Sequence, residues 1–253
     1  HGLRNTCDMS PTPPLTELPD LLRRMKGAGF AVLDAAATAT LCGIAQADLS
    51  HWSPLWDDLP PDRHLKDGGR YRRRRHGSVI VDGDAVQQAP HRAHWQPVEY
   101  NALHGGIERW FEPLSSAMTD SRAWPRVLSG LAGLASQLWG DERWYTEVHP
   151  FRIDTTDGIG RPTPEGAHRD GVDLVAVMLV SRLNVKGGET RVFDAQGPDG
   201  MRFTLTEPWS MLLLDDARVI HESTPIQPRD PSRPAHRDTL VITLRRGAFQ
   251  GPA

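Results

Sequence analysis

His168 and Asp170 stand two residues apart, and in extended backbone positions i and i+2 point to one face, so an imidazole and a carboxylate can converge on a single ion. Spacing by itself does not single this pair out, because His236 and Asp238 repeat it. Context separates the two. The first pair follows a turn-rich run with Gly158, Gly160, Pro162, Pro164 and Gly166, and it opens the apolar stretch Val172–Val180. The second pair is followed by no further histidine. Downstream of the first, Met211–Leu214 reads as a buried strand, Asp215-Asp216-Ala217 as a turn, and Val219-Ile220 carries His221 into the next strand. His221 can therefore complete a set of two histidines and one carboxylate with His168 and Asp170. Such a set holds one face of a divalent iron and leaves adjacent positions open, which suits a metal that must cycle in oxidation state, unlike a closed Cys/His zinc site. The competing reading makes His168 a loop cap, Asp170 a turn cap and His221 a hydrogen-bonded core histidine.

Arg237 follows the last of these histidines and starts the final strand-like run. A guanidinium buried there can fork onto the carboxylate of a dicarboxylic cosubstrate, and Thr239 adds a hydroxyl from the same face. Farther upstream, Arg70-Tyr71-Arg72-Arg73-Arg74-Arg75 interleaves arginine with an aromatic ring, a pattern that can hold phosphate and stack bases, yet such runs are most often solvated faces. The strand-like Ser78–Val81 just after it leaves a third possibility, in which alternate arginines such as Arg72 and Arg74 turn inward to a pocket.

These residues need elements to position them. A chain of 253 residues, 38% hydrophobic and 24% charged, suits one domain spanning residues 9–253 and is neither disordered nor fibrous. Residues 1–8 read as a cloning scar or a disordered lead, with Met9 as a natural start. With 23 glycines and 21 prolines, loops and short strands outnumber long helices. Helical periodicity appears from Thr16 to a stop at Gly27, again through Leu41, Ile44, Ala45 and Leu49, and most strongly over Arg122–Trp139, while Gly29–Leu33 reads as a strand. After Gly140 the pattern changes to runs of β-formers at 143–153, 172–181, 188–193, 201–206, 210–215 and 239–245, which suggests a sandwich or jelly roll. The expected organisation is a helical layer, mostly 15–140, against a metal-binding β-core, mostly 141–247. Trp110, Trp139 and Trp144 are expected in the core.

Several functions are excluded. The net charge of −3 argues against a general nucleic-acid binder, no apolar run approaches membrane-spanning length, and two cysteines cannot build a disulfide framework, which points to the cytoplasm. There is no phosphate loop, no kinase motif set around either His-Arg-Asp triplet, and no Gly-x-Ser-x-Gly elbow.

Taken in order, Pro-Glu-Gly-Ala-His168-Arg-Asp170-Gly, then Gly187-Gly188-Glu189-Thr190, then His221, then Arg237-Asp238-Thr239-Leu240, together with the block Tyr100–Pro113, resemble the Fe(II)/2-oxoglutarate dioxygenase family that includes bacterial L-isoleucine 4-hydroxylase and related free amino acid hydroxylases. The resemblance extends from about Gly29 to Arg245. It implies an α+β, mainly β fold, a cupin-like double-stranded β-helix with a supporting layer of N-terminal helices. It further implies Fe(II) on His168, Asp170 and His221, 2-oxoglutarate on Arg237, dioxygen as second cosubstrate, and hydroxylation with release of succinate and carbon dioxide. Asp170 favours hydroxylation, since related halogenases lack that carboxylate. A zwitterionic amino acid needs a cation for its carboxylate and an acceptor for its ammonium, so Arg152, Glu147 and Asp154 near the triad loop, Glu165 beside His168, and Arg72 and Arg74 are the candidates for substrate. The small-molecule partner would be served by a monomer or homodimer, with no nucleic acid or membrane. Two alternatives stay open: an oxygenase acting on a macromolecule docked on Arg70–Arg75, and a non-catalytic metal-binding β-barrel.

Overall fold

A computed structural model describes residues 10–252, so the expectations for residues 1–8 and for Met9 as a start lie outside the described residues. A turn of 3-10 helix at Leu18–Asp20 leads into α1 (Leu21–Ala28), whose Leu21 and Met25 are buried. The helix runs through Gly27 and ends at Gly29, where a φ of 78° lets the glycine N–H close onto the Met25 carbonyl. The expected stop at Gly27 is thus two residues early, because the left-handed cap and not glycine as such ends the helix. β1 (Phe30–Leu33) follows, buried at every position. Asp34 then caps α2 (Ala35–Leu41) by accepting the Ala37 N–H. The periodicity of Leu41–Leu49 resolves into two helices, since Gly43 takes a φ of 64° and α3 (Gln46–Ser50) starts afresh.

Next come β2 (Arg72–Arg74), β3 (Gly77–Asp82), β4 (Ala85–Gln88), α4 (Ser116–Thr119) and α5 (Ala123–Trp139). The last buries Val127, Leu128, Leu131, Leu134 and Ala135 along one face, as the 3.6-residue period requires. The β-rich part comprises β5 (Trp144–Asp154), β6 (Leu174–Leu183), β7 (Val185–Gly187), β8 (Thr190–Asp194), β9 (Gly200–Phe203), β10 (Met211–Asp215), β11 (Val219–Ser223), β12 (Ile226–Pro228) and β13 (His236–Arg245). The main sheet has the order β1-β10-β6-β13-β5-β3-β4, with β2 also on β5, while β11-β8-β9 and β12-β7 form smaller sheets, and every pairing is antiparallel. This is a double-stranded β-helix.

The main sheet is covered on both faces. Leu240, Ile242 and Leu244 of β13 join α1, α5 and the Trp52–Trp56 region in one apolar layer. On the other face, Val175 and Leu179 of β6 meet Val192, Phe203 and Val219 of the β11-β8-β9 sheet. Burial on two sides explains why β6 reads as a continuous apolar run with no alternation. On β13 the opposite parity, Arg237, Thr239, Val241 and Thr243, lines an internal cavity. Trp144 is fully buried and Trp139 packs beside the same layer, but Trp110 is half exposed, against His91, because its segment forms an irregular cap with no repeating apolar face. Among the described residues no helix is long and apolar enough to cross a membrane.

Candidate metal centre and substrate cavity

His168 and His221 are tied to each other by the backbone: each N–H donates to the other's carbonyl at 3.0 Å. Asp170 follows two residues on, and one nitrogen of each imidazole and one carboxylate oxygen lie within 4.8 Å of one another. Nε2 of His168 is 3.6 Å from Asp170 Oδ1, and Nε2 of His221 is 3.9 Å from Oδ2. Nδ1 of His168 donates to the Gly166 carbonyl at 2.9 Å, which fixes the ring and aims Nε2 at the shared centre. Burial alone would lower the His168 pKa, but the carboxylates of Asp170 and Glu165 outweigh it and lift the imidazole to about 10. A cation entering the centre would replace that proton. Burial and the neighbouring His168 hold His221 near 4, so this ring is neutral and ready to donate a lone pair. The donor set fits a divalent iron with one open flank.

Behind this loop sits a residue that sequence reasoning treated only as a turn. The fully buried carboxylate of Asp216 accepts the N–H groups of Asp170 at 2.9 Å, Gly171 at 2.7 Å and Val172 at 3.1 Å. Burial, then the charge of Asp170, raise its pKa to about 7 against those three donors.

Arg237 and Thr239 line the same cavity. Arg237 is 4% exposed and forms no ion pair among the described residues, and its Nε has no partner. Burial, then the neighbouring Arg182, lower its pKa to about 10. Gly188 makes this room: a Cβ there would lie 2.9 Å from Arg182 Nη1 and 3.3 Å from Arg237 Cδ, and its φ of 68° suits glycine.

The arginine run folds as an alternating strand. Arg72 and Arg74 of β2 turn into the cavity, where Arg72 pairs with buried Asp62 at 2.7 Å and Arg74 sits over Phe111 and Phe151. Arg73 and Arg75 turn outward and bond backbone carbonyls of Leu59 and Pro113. On β5 the same alternation divides the expected substrate residues. Glu147 faces the cavity, as does Glu165, whose Oε1 is 3.4 Å from His168 Nε2. Arg152 and Asp154 are corrections: they have the other parity and do not line the cavity. Arg152 holds Asp238 at 2.8 Å and Asp57 at 2.9 Å, and Asp154 lies 4.0 Å from Arg73.

Sequence reasoning missed most of the polar wall. His94, Gln96, Asn101 and Arg109 reach the cavity from the irregular 94–109 segment, and Gln250 reaches it from the C-terminal stretch. His149 was detectable, being two residues beyond Glu147 on one strand. The cap residues carried no periodic signal. His76, His94, Glu147 and His149 also bring ligand atoms within 4.8 Å of one another. Here the surroundings oppose a metal. Arg74 Nη2 lies 2.8 Å from His149 Nδ1, Arg92 lies 3.6 Å from Glu147 Oε1, and that oxygen already accepts from His76 at 2.8 Å and His94 at 3.2 Å. Two guanidinium groups occupy the electrostatic place of a divalent ion, so this cluster is a hydrogen-bonded network around a carboxylate.

The sequence matches the model of the 2OG-Fe dioxygenase family over residues 53–243. The chain belongs to this family. As in the 2OG-Fe dioxygenases generally, Fe(II), 2-oxoglutarate and dioxygen are therefore its cofactor and cosubstrates, and the His168, Asp170 and His221 donors fit the iron. A crystal structure of a bsmA homolog from Methylobium petroleophilum PM1 is 54% identical, with a TM-score of 0.90 over 97% of this dioxygenase and 99% of that chain. The 3(1)-hydroxy-L-isoleucine 4-dioxygenase of Pantoea ananatis is 24% identical over 60% of this chain, and the match spans 63% of that relative's length, less than two thirds. IDO from Bacillus thuringiensis shares the fold at 14% identity, with a TM-score of 0.69 over 91% of this chain and 99% of that one.

Proposed function

We propose that this dioxygenase hydroxylates an unactivated carbon of a free L-amino acid, forming succinate and carbon dioxide, in the cytoplasm and as a step in natural-product biosynthesis. The observation that carries the reading is one cavity that holds His168, Asp170 and His221 beside Arg237 and also presents both signs of charge, Arg72 and Arg74 with Glu147 and Glu165, to a small zwitterion. The Pantoea relative, named for a hydroxylated isoleucine, supports an amino acid as substrate class. When bound, the iron supplies the dioxygen chemistry that couples 2-oxoglutarate decarboxylation to hydroxylation.

The chain's residues do the rest. Nε2 of His168 and of His221 and the Asp170 carboxylate hold the ion, with Gly166 and Asp216 fixing their orientation. Arg237 and Thr239 take the distal carboxylate of 2-oxoglutarate. Val172, Val177 and Val241 supply an apolar wall that limits water near the reacting carbon. A macromolecule docked on Arg70–Arg75 is disfavoured, because Arg72 and Arg74 are buried and Arg70 and Arg75 lie against Asp157 and Asp58.

The test incubates purified protein with Fe(II), 2-oxoglutarate and each proteinogenic L-amino acid, plus citrulline and ornithine. Succinate and a product heavier by one oxygen are expected together for at least one of them. Succinate without any oxygenated amino acid would remove the substrate assignment, and no succinate at all would remove the reaction.

A further inference from the structure

We infer that Arg109 and Arg74 form the clamp for the substrate's carboxylate and that Glu147 receives its ammonium, a reading that rests on the amino acid assignment above and makes it specific. Arg109 is 3% exposed and pinned at its backbone, where it exchanges hydrogen bonds with His94 at 2.8 and 3.0 Å. Its Nη2 donates to Gln96 Oε1 at 3.0 Å while Nε has no partner. Arg74 is equally buried, its Nη2 rests on His149, and its Nε is also unpartnered. Neither makes an ion pair within 4.0 Å among the described residues, whereas Arg72, two residues from Arg74 on β2, is matched by Asp62. Two guanidinium groups buried against one cavity with unused donors and no carboxylate within 4.0 Å are unfavourable unless an anion joins them.

Arg237 lies on β13 in the same cavity, already apportioned to the cosubstrate, so the anion at Arg74 and Arg109 belongs to a second molecule. That molecule also meets an acceptor. Glu147 Oε1 is held by His76 and His94, and its Oε2 accepts no hydrogen bond among the described residues. Since His149 contacts Arg74, stacks on His76 and meets His94 edge-on around Glu147, cationic and anionic groups are neighbours. An α-amino acid carries its two charges one carbon apart and matches this adjacency. Gln96 completes the arrangement: it accepts from Arg109 and from Asn101, and its Nε2 lies 3.4 Å from Asp170 Oδ1, so the clamp is joined to the metal loop by one side chain.

The experiment takes the amino acid from the panel that gives the most oxygenated product, together with its methyl ester and its N-acetyl derivative, and compares native protein with Arg109→Leu and Arg109→Lys. Native protein is expected to turn over the free amino acid and to discriminate against both derivatives by at least 10-fold in kcat/KM. Arg109→Leu is expected to raise the KM for the amino acid about 10- to 100-fold, the loss of one charge-assisted contact, and to change the KM for 2-oxoglutarate far less. Arg109→Lys should recover part of the loss, and Co(II) binding and melting temperature establish that each variant is folded with its metal loop intact. Equal turnover of acid and ester, or an Arg109→Leu effect confined to 2-oxoglutarate, would overturn the clamp while leaving amino acid hydroxylation standing. If the panel yields succinate but no oxygenated amino acid, both readings fall.

Discussion

Removing the charge at Arg237 is expected to stabilise the protein while disabling it. The guanidinium is buried without a carboxylate partner, and its pKa is lowered from the ordinary arginine range to about 10, first by burial and then by Arg182. At pH 7 arginine is protonated in both folded and unfolded chains. A lower folded pKa therefore means that folding gives up about 3 kcal/mol, at about 1.4 kcal/mol per pH unit. Arg237→Met keeps most of the aliphatic stem and removes the charge, so we expect a net gain of about 1–3 kcal/mol. For a chain of this size that raises the melting temperature by about 2–12 °C. Binding moves in the opposite direction. A bidentate contact to 2-oxoglutarate comprises two charge-assisted hydrogen bonds of about 1.5–3 kcal/mol each, so cosubstrate affinity should fall about 100-fold or more. The assay is a thermal melt of metal-loaded protein with and without 2-oxoglutarate, alongside the KM for 2-oxoglutarate from succinate formation. Native protein should gain about 2.7 kcal/mol at a cosubstrate concentration of 100 times Kd, and the variant almost nothing at that concentration. A variant that melts below native protein and is still stabilised by 2-oxoglutarate would refute both halves of the reasoning.

Asp216→Asn keeps the shape but turns one acceptor into a donor facing the Gly171 and Val172 N–H groups, so Co(II) affinity, read from visible absorption, should weaken about 10- to 100-fold; unchanged affinity would limit Asp216 to folding. His94 is held neutral, with burial lowering its pKa from 6.5 to about 4 against the pull of Glu147. Between those values the unfolded chain takes up a proton that the folded protein refuses, so stability falls as pH drops from 6.5 to 4, by up to about 3 kcal/mol from this group. Melts of His94→Phe across that range should show a shallower slope, and an identical slope would exclude His94 as the source. Arg152→Ala leaves buried Asp238 without its guanidinium partner and should cost about 2–3 kcal/mol in urea unfolding, with KM values for substrate and 2-oxoglutarate unaltered because the side chain lies off the cavity.

Local pattern carried much of this protein. The interval between His168 and Asp170 puts them on one face wherever the backbone is extended, the turn chemistry before them marks a strand mouth, and β-formers after Gly140 announce a β-core, since period and turn residues are properties of neighbouring positions. The order of His221, Arg237 and Thr239 after them was equally visible. What the sequence could not decide was parity: β5 alternates whichever face is inward, and only its pairing with β13 and β2 turns Glu147 and His149 toward the cavity and Arg152 and Asp154 away. The same holds for Arg72 and Arg74 within a run of like residues. The 94–109 cap has no period to read, so the placement of Gln96 and Arg109 follows from packing over the sheet and its own backbone bonds. Asp216 looked like any turn aspartate. Its significance arises because distant chain, Asp170 to Val172, delivers three N–H groups to one buried carboxylate, a contact that exists only once the strands have assembled.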